Sequence, residues 1–179
     1  MNANTSASLE WSLRLAQPDD AQAFHDVEDD AAQLLANEPS LAGIPVPPSR
    51  SAEEYRAMIR QRHSLTAVSD GRVIGFAATR RTGREVHLHE LSVATAFQRH
   101  RIGATLLGAL KIDCRNAGVR AITLHTYRDI PWNAPFYERH GFVIIEDLEA
   151  YPRLAAGQEA AVEFGLPRDR RCAMIHFLS

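Results

Sequence analysis

The segment Gln98-Arg99-His100-Arg101-Ile102-Gly103-Ala104 sets two guanidinium groups and a glycine at the threshold of an apolar run. Ile102, Leu106, Leu110 and Cys114 recur at helical spacing, so these residues stand at a helix N-terminus. Positive side chains there oppose the helix dipole. They fit if an anion docks, because the first N–H groups of a helix have no intrahelical partner and point outward. Gly103 lets a ligand approach the backbone closely. The plainer reading is two solvated arginines, each costing roughly 0.3–1 kcal/mol against the dipole. A second group of reactive side chains comes just before: His87, His89 and Glu90, within Glu85 to Val93. A glutamate withdrawn from water has a raised pKa and suits a general base. The alternative for Glu90 is a surface carboxylate beside His89. The His-x-His pair could begin a metal site, but no third ligand stands at fitting spacing, and solvated or core-edge histidines are the competing reading.

These residues need elements to position them. Within Glu85 to Val93, Val86 and Leu88 share one parity and Leu91 and Val93 the other. A regular strand cannot send both pairs to one core, since its side-chain period is two. Either both faces are buried, or an extra residue near His89 and Glu90 slips the register, bending the strand beside a binding site. Upstream, Trp11 to Leu15 reads as a strand, and Pro18-Asp19-Asp20 opens a helix carrying Phe24, Val27, Ala31 and Leu34. A proline-rich loop spans Glu38 to Ser49, and Ser51 to Arg62 reads as a second helix. Leu65 to Val68 and Val73 to Thr79 read as strands joined by the hairpin turn Asp70-Gly71. Ile102 to Ala117 is the clearest helix, ended by Gly118. Ala121 to Thr126 reads as a strand, Trp132 to His140 as a short helix, and Phe142 to Glu146 as a strand. The tail from Tyr151 carries a last strand, Cys172 to Leu178. Hairpins followed by a helical crossover predict an α+β fold, a mixed and mostly antiparallel sheet flanked by helices.

The chain has 179 residues, 45% hydrophobic and 23% charged, which excludes disorder and suits a single domain over 1–179. Residues 1–8 are expected to be a flexible N-terminus and 150–179 a C-terminal extension. Twenty basic against 22 acidic residues disfavour a nucleic-acid face. Cys114 and Cys172 are too few for a disulfide scaffold and read as packing residues. The longest apolar run, Phe142 to Ile145, is too short for a membrane span. Met1 to Ser8 lacks the apolar stretch of a signal peptide, so the expected location is cytoplasmic.

The turn and a second segment together resemble the GNAT superfamily of acetyl-coenzyme A-dependent N-acetyltransferases. Its signature is Gln/Arg-x-x-Gly-x-Gly/Ala after a strand ending apolar-x-apolar. Here the strand ends Leu91-Ser92-Val93, and Gln98 and Gly103 match. Arg101 replaces the middle glycine, which bears on how tightly the turn wraps a diphosphate but leaves its backbone donors in place. Asn133-Ala134-Pro135-Phe136-Tyr137-Glu138-Arg139-His140-Gly141-Phe142 is similar to the family segment in which Asn and a Phe-Tyr pair precede a Gly-Phe turn. The resemblance extends from Leu13 to Leu148.

The resemblance implies a GNAT-type sheet whose splayed strands hold acetyl-coenzyme A (acetyl-CoA), and transfer of the acetyl group to a primary amine by direct attack, without a metal. Backbone N–H groups of Arg99, His100, Arg101, Ile102, Gly103 and Ala104 would hold the pyrophosphate. Leu91, Ser92 and Val93 would pair with the pantetheine arm like an added strand, and one N–H would polarise the thioester carbonyl. Tyr137 would be the general acid at the sulfur, although alone it also reads as the anchor of an amphipathic helix. Asn133 would orient the cofactor arm, and Phe136 would pack on cofactor or core. Glu90 is the candidate base, and His125 a second candidate for binding the acceptor or taking its proton. Ile44, Val46, Tyr55 and Trp132 are candidate acceptor walls, and Asp29, Asp30 and Asp129 could draw in a cationic amine. The acceptor would be a small molecule or peptide, and the last strand could pair across a homodimer. The contrasting function is a non-catalytic acyl-CoA-binding sensor or interaction module.

Overall fold

The computed structural model describes residues 9–178. The expected flexible N-terminus, residues 1–8, lies outside the described residues. The chain runs β1 (Ser12–Leu15), α1 (Ala21–Ala36), α2 (Ala52–Ile59), β2 (Leu65–Ser69), β3 (Arg72–Thr82), β4 (Glu85–Val93), α3 (Ile102–Asn116), β5 (Ala121–Tyr127), α4 (Ala134–Glu138), β6 (Val143–Ile144), α5 (Pro152–Phe164) and β7 (Arg171–Phe177). Seven strands form one sheet in the order β1-β2-β3-β4-β5-β7-β6. The β4–β5 pair is parallel and the others antiparallel. This is the mixed, mostly antiparallel α+β architecture that the order of elements predicts. Among the described residues no helix is long and apolar enough to cross a membrane.

Strand alternation feeds a core on each face. Ile122 and Leu124 of β5 pack with Leu106, Leu107 and Leu110 of α3. On the opposite face Phe76 of β3 stacks on Phe24 of α1 with ring centroids 4.1 Å apart, and Tyr55 of α2 meets both edge-on. Thr123 and His125, out of phase with Ile122 and Leu124, turn to that second face and meet α5. Arg153 reaches Thr123 Oγ1 at 3.2 Å, and His125 Nε2 reaches the Leu154 carbonyl at 2.9 Å. Helix α5 is absent from the sequence reading, which gave the tail only a strand. Its small and polar residues carry a narrow apolar stripe, so periodicity barely marks it. Its boundaries are nonetheless encoded, by Pro152 in the first turn and by Gly165 at φ +111° just past the end.

Some elements are shorter than expected, among them the helix read from Trp132 to His140, which covers Ala134–Glu138. The strand read from Phe142 to Glu146 reduces to Val143–Ile144, because it pairs with β7 over those two residues only. The helix read from Ser51 to Arg62 ends at Ile59, and Arg62 and His63 take φ of +69° and +65° on the way into β2. Its start carries a reciprocal cap: Ser51 Oγ accepts from the Glu54 N–H and the Glu54 carboxylate accepts from the Ser51 N–H.

Candidate active site

Two irregularities in β4 open the site. Against β3, Ala78 pairs with Glu90 but Thr79 pairs with Leu88, so His89 is an extra residue. That bulge lets Val86 and Leu88 join the α3 core while Leu91 and Val93, of opposite parity, pack against its edge. The second irregularity lies on the other side of β4. Its parallel ladder with β5 runs only from Glu85↔Ala121 to His87↔Thr123. Beyond His87 the two strands splay, and β4 presents an unpaired backbone edge toward the gap.

A cleft of about 1060 Å³ fills this gap and continues to the start of α3. Glu90, Leu91, Ser92, Val93, Gln98, Arg99, Arg101, Ile102, Gly103, Ala104, Asn133, Phe136 and Tyr137 all line it. His100 does not; it is exposed beside the cleft. The turn before α3 is left-handed at Arg99 (φ +67°) and Arg101 (φ +61°). Arg101 takes this conformation with a Cβ, at a cost of roughly 1–2 kcal/mol. Gln98 Nε2 donates to the Val93 carbonyl at 3.1 Å and ties the turn to the strand end. The Arg101 carbonyl accepts from the Thr105 N–H and hydroxyl at 2.9 and 3.0 Å, closing the first turn of α3. The free N–H groups there and the unpaired edge of β4 fit the diphosphate and amide-bearing arm of coenzyme A.

Glu90 sits in a carboxylate-rich pocket. Ser92 donates to Glu90 Oε1 at 2.6 Å, and Arg50 stands 3.6 Å from Oε2. Desolvation, then the charge of Glu28, raise the Glu90 pKa above the ordinary range against the pull of Ser92, Arg50 and the Leu91 N–H. Glu28 is buried and accepts from the Tyr55 hydroxyl at 2.6 Å and the Arg50 N–H at 2.7 Å. Sequence reasoning missed Glu28 and Arg50, which come from α1 and from the end of the proline-rich loop. One signal was available: an acidic residue, Glu28, next to the buried stripe position Val27. Across the cleft, burial and then the charge of Glu90 push the Tyr137 phenol well above its usual value. Asn133 Oδ1 accepts from the Thr126 hydroxyl, which fixes the amide at the head of α4.

The remaining candidates divide. His89, His125, Val46 and Trp132 line the cleft. Tyr55 does not; it is fully buried in the second core. Ile44 packs beneath the loop with Leu41, Tyr127 and Ile130. Asp29, Asp30 and Asp129 do not line the cleft: they bind Ser49, Thr95 and Arg170. His87 is buried beside Thr123 rather than solvated. Because a carbonyl only accepts, His125 carries its proton on Nε2 toward Leu154. Burial lowers its pKa, partly offset by that bond, so the ring is neutral at pH 7. Among the described residues, the group of His, Cys and carboxylate side chains close enough to share an ion is His63, Asp113 and Cys114, none of which lines the cleft.

A bulged strand splayed from its parallel neighbour and a helix N-terminus at the same cleft define a site open along a strand edge. Residues 28–142 match the model of the Acetyltransferase (GNAT) family, and the chain belongs to that family. It is an acyltransferase whose acyl donor is acetyl-CoA. The fold is similar to that of PaiA N-acetyltransferase from Thermoplasma acidophilum in complex with coenzyme A. That match has a TM-score of 0.68 at 17% identity, over 94% of this chain and 99% of the other. The ribosomal-protein-S18-alanine N-acetyltransferase from Escherichia coli matches with a TM-score of 0.66 at 18% identity, over 95% of each chain. N-acetylglutamate synthase from Neisseria gonorrhoeae, complexed with coenzyme A and N-acetyl-glutamate, matches with a TM-score of 0.68 at 16% identity, over 95% of this chain and 35% of the other.

Proposed function

We propose that the chain moves an acetyl group from acetyl-CoA to a primary amine of a small molecule or peptide, with Glu90 as general base and Tyr137 as general acid. The observation that carries this reading is the placement of the two groups. Both line one cleft, from β4 and from α4, and the Glu90 charge acts on Tyr137 across it. Acetyl-CoA supplies a carbonyl activated as a thioester. The outward-facing backbone groups on the β4 edge between Leu91 and Val93 hold its arm, and one N–H there polarises the carbonyl oxygen. Glu90, with its raised pKa, accepts the amine proton directly or through a water. Tyr137 stays protonated across the working range, so its O–H donates to the sulfur as negative charge gathers there. Holding both partners together removes the need for a covalent enzyme intermediate. The similar folds of an S18-alanine N-acetyltransferase and of a synthase complexed with N-acetyl-glutamate support an amine acceptor.

Calorimetry with acetyl-CoA, followed by thiol release against amines, tests the reading. Tyr137→Phe is expected to bind acetyl-CoA within a few-fold of the parent and to lose about 10²- to 10⁴-fold in kcat. Unchanged turnover across the pH range removes Tyr137 as the acid. Binding without turnover of any amine by the parent chain favours the non-catalytic module.

A further inference from the structure

Arg171 opens β7 opposite Tyr127 in the antiparallel pair. Both side chains therefore leave the face that His125 leaves, and all three line the cleft. The guanidinium lies over the Tyr127 ring, 4.9 Å from its centroid. Its Nε is buried and donates to no protein atom. Among the described residues Arg171 enters no ion pair. Its neighbours are matched: Arg50 in the same cleft has Glu28 at 3.3 Å and Glu90 at 3.6 Å, and Arg170 has Asp129 at 2.8 Å. Burial pulls the Arg171 pKa down, while Tyr127, Cys172 and Glu90 draw it back up. A guanidinium does not deprotonate in a protein. The fold therefore carries a cation into the cleft with an aromatic face beneath it and, among the described residues, no carboxylate within ion-pair distance.

An uncompensated charge in such a place is costly, and the planar fork of arginine matches a carboxylate in two parallel hydrogen bonds. We propose that Arg171 is the carboxylate-binding residue of the acceptor site, and that the acceptor is an amino acid, an amine that itself bears a carboxylate. The inference rests on the acetyl-transfer reading above. It assigns the two ends of the acceptor: the amine to Glu90 on β4, the carboxylate to Arg171 on β7. Leu35, packed with Tyr127 under the proline-rich loop, gives the acceptor's side chain an apolar wall.

The test is a panel of L-amino acids, each supplied also as its carboxamide and as the decarboxylated amine, assayed by thiol release with saturating acetyl-CoA. The expected result is that at least one amino acid exceeds its own amide and amine in kcat/KM by about 10-fold or more. In Arg171→Met that ratio falls toward one, chiefly through KM, while Arg171→Lys keeps part of it. Because the charge is unpaired in the free protein, Arg171→Met is expected to melt at or above the parent temperature, which separates loss of binding from loss of fold. Amides or amines accepted as well as the acids overturn the inference and leave acetyl transfer standing. So does an unchanged ratio in Arg171→Met, or a variant that weakens acetyl-CoA binding alone. Acetyl-CoA bound with no amino acid accepted overturns it too, whereas failure to bind acetyl-CoA overturns the underlying reading itself.

Discussion

Glu90 carries its charge in a poor place for a charge. Removal from water raises its pKa first, and the Glu28 carboxylate adds to that. A carboxyl whose folded pKa lies above its unfolded value, about 4.3, lowers stability once pH passes that value, and the loss grows until pH passes the folded pKa. Glu90→Gln is therefore expected to melt higher than the parent at pH 7, with the gain gone below about pH 4. The same substitution should cost about 10²- to 10⁴-fold in kcat and remove the limb of the pH–rate profile that rises from acid. A lower melting temperature at pH 7 with an intact limb contradicts both the strained charge and the base assignment. Glu90 was legible in the sequence because apolar alternation fails beside it. The groups that tune it were not, since Glu28 and Arg50 reach β4 only through the packing of α1 and the proline-rich loop.

The elements show where sequence patterns carry position and where they do not. The bulge at His89 and the left-handed turn at Arg101 are local, and both left a mark in parity and in motif. Helix α5 left little mark, yet it forms the wall behind His125. A Cβ on Gly157 would come within 2.7 Å of His125 Cε1, a ring held by the Leu154 carbonyl of the same helix. Two effects then compete in Gly157→Ala. Helix propensity favours alanine by about 1 kcal/mol. Overpacking a held ring costs typically 1–3 kcal/mol. The clash is expected to win, with a net loss of roughly 1 kcal/mol in urea unfolding. Net stabilisation would show that His125 is free to move and that α5 does not fix the acceptor side. The splay of β4 from β5 is also invisible locally, because it depends on where a parallel ladder between distant segments stops.

Across the whole molecule the cleft joins groups from β4, β5, β7, α1, α3 and α4, so its chemistry belongs to no single segment. The strand that forms the cleft also carries an acid liability. Burial, ahead of nearby positive charges, takes His87 to about 2 and His89 to about 4. The unfolded chain binds protons at these rings near pH 6.5 while the folded chain refuses them. The histidines' contribution to stability is thus full above pH 6.5 and declines as pH falls toward 4, at up to roughly 1.4 kcal/mol per pH unit for each ring. Melting curves of Glu90→Gln, which lacks the opposing carboxyl, from pH 7.5 to 4.5 check this, and a flat profile contradicts the burial of the pair. The central claim is that acetyl-CoA lies along the free edge of β4 with its diphosphate on the turn before α3. A crystal structure with coenzyme A tests it most directly. The account predicts phosphate oxygens on the amides of residues 99–104, the pantetheine arm bonded to Leu91–Val93, and the sulfur between Glu90 and Tyr137. Coenzyme A bound elsewhere, with β4 and β5 closed into a continuous ladder, would contradict it.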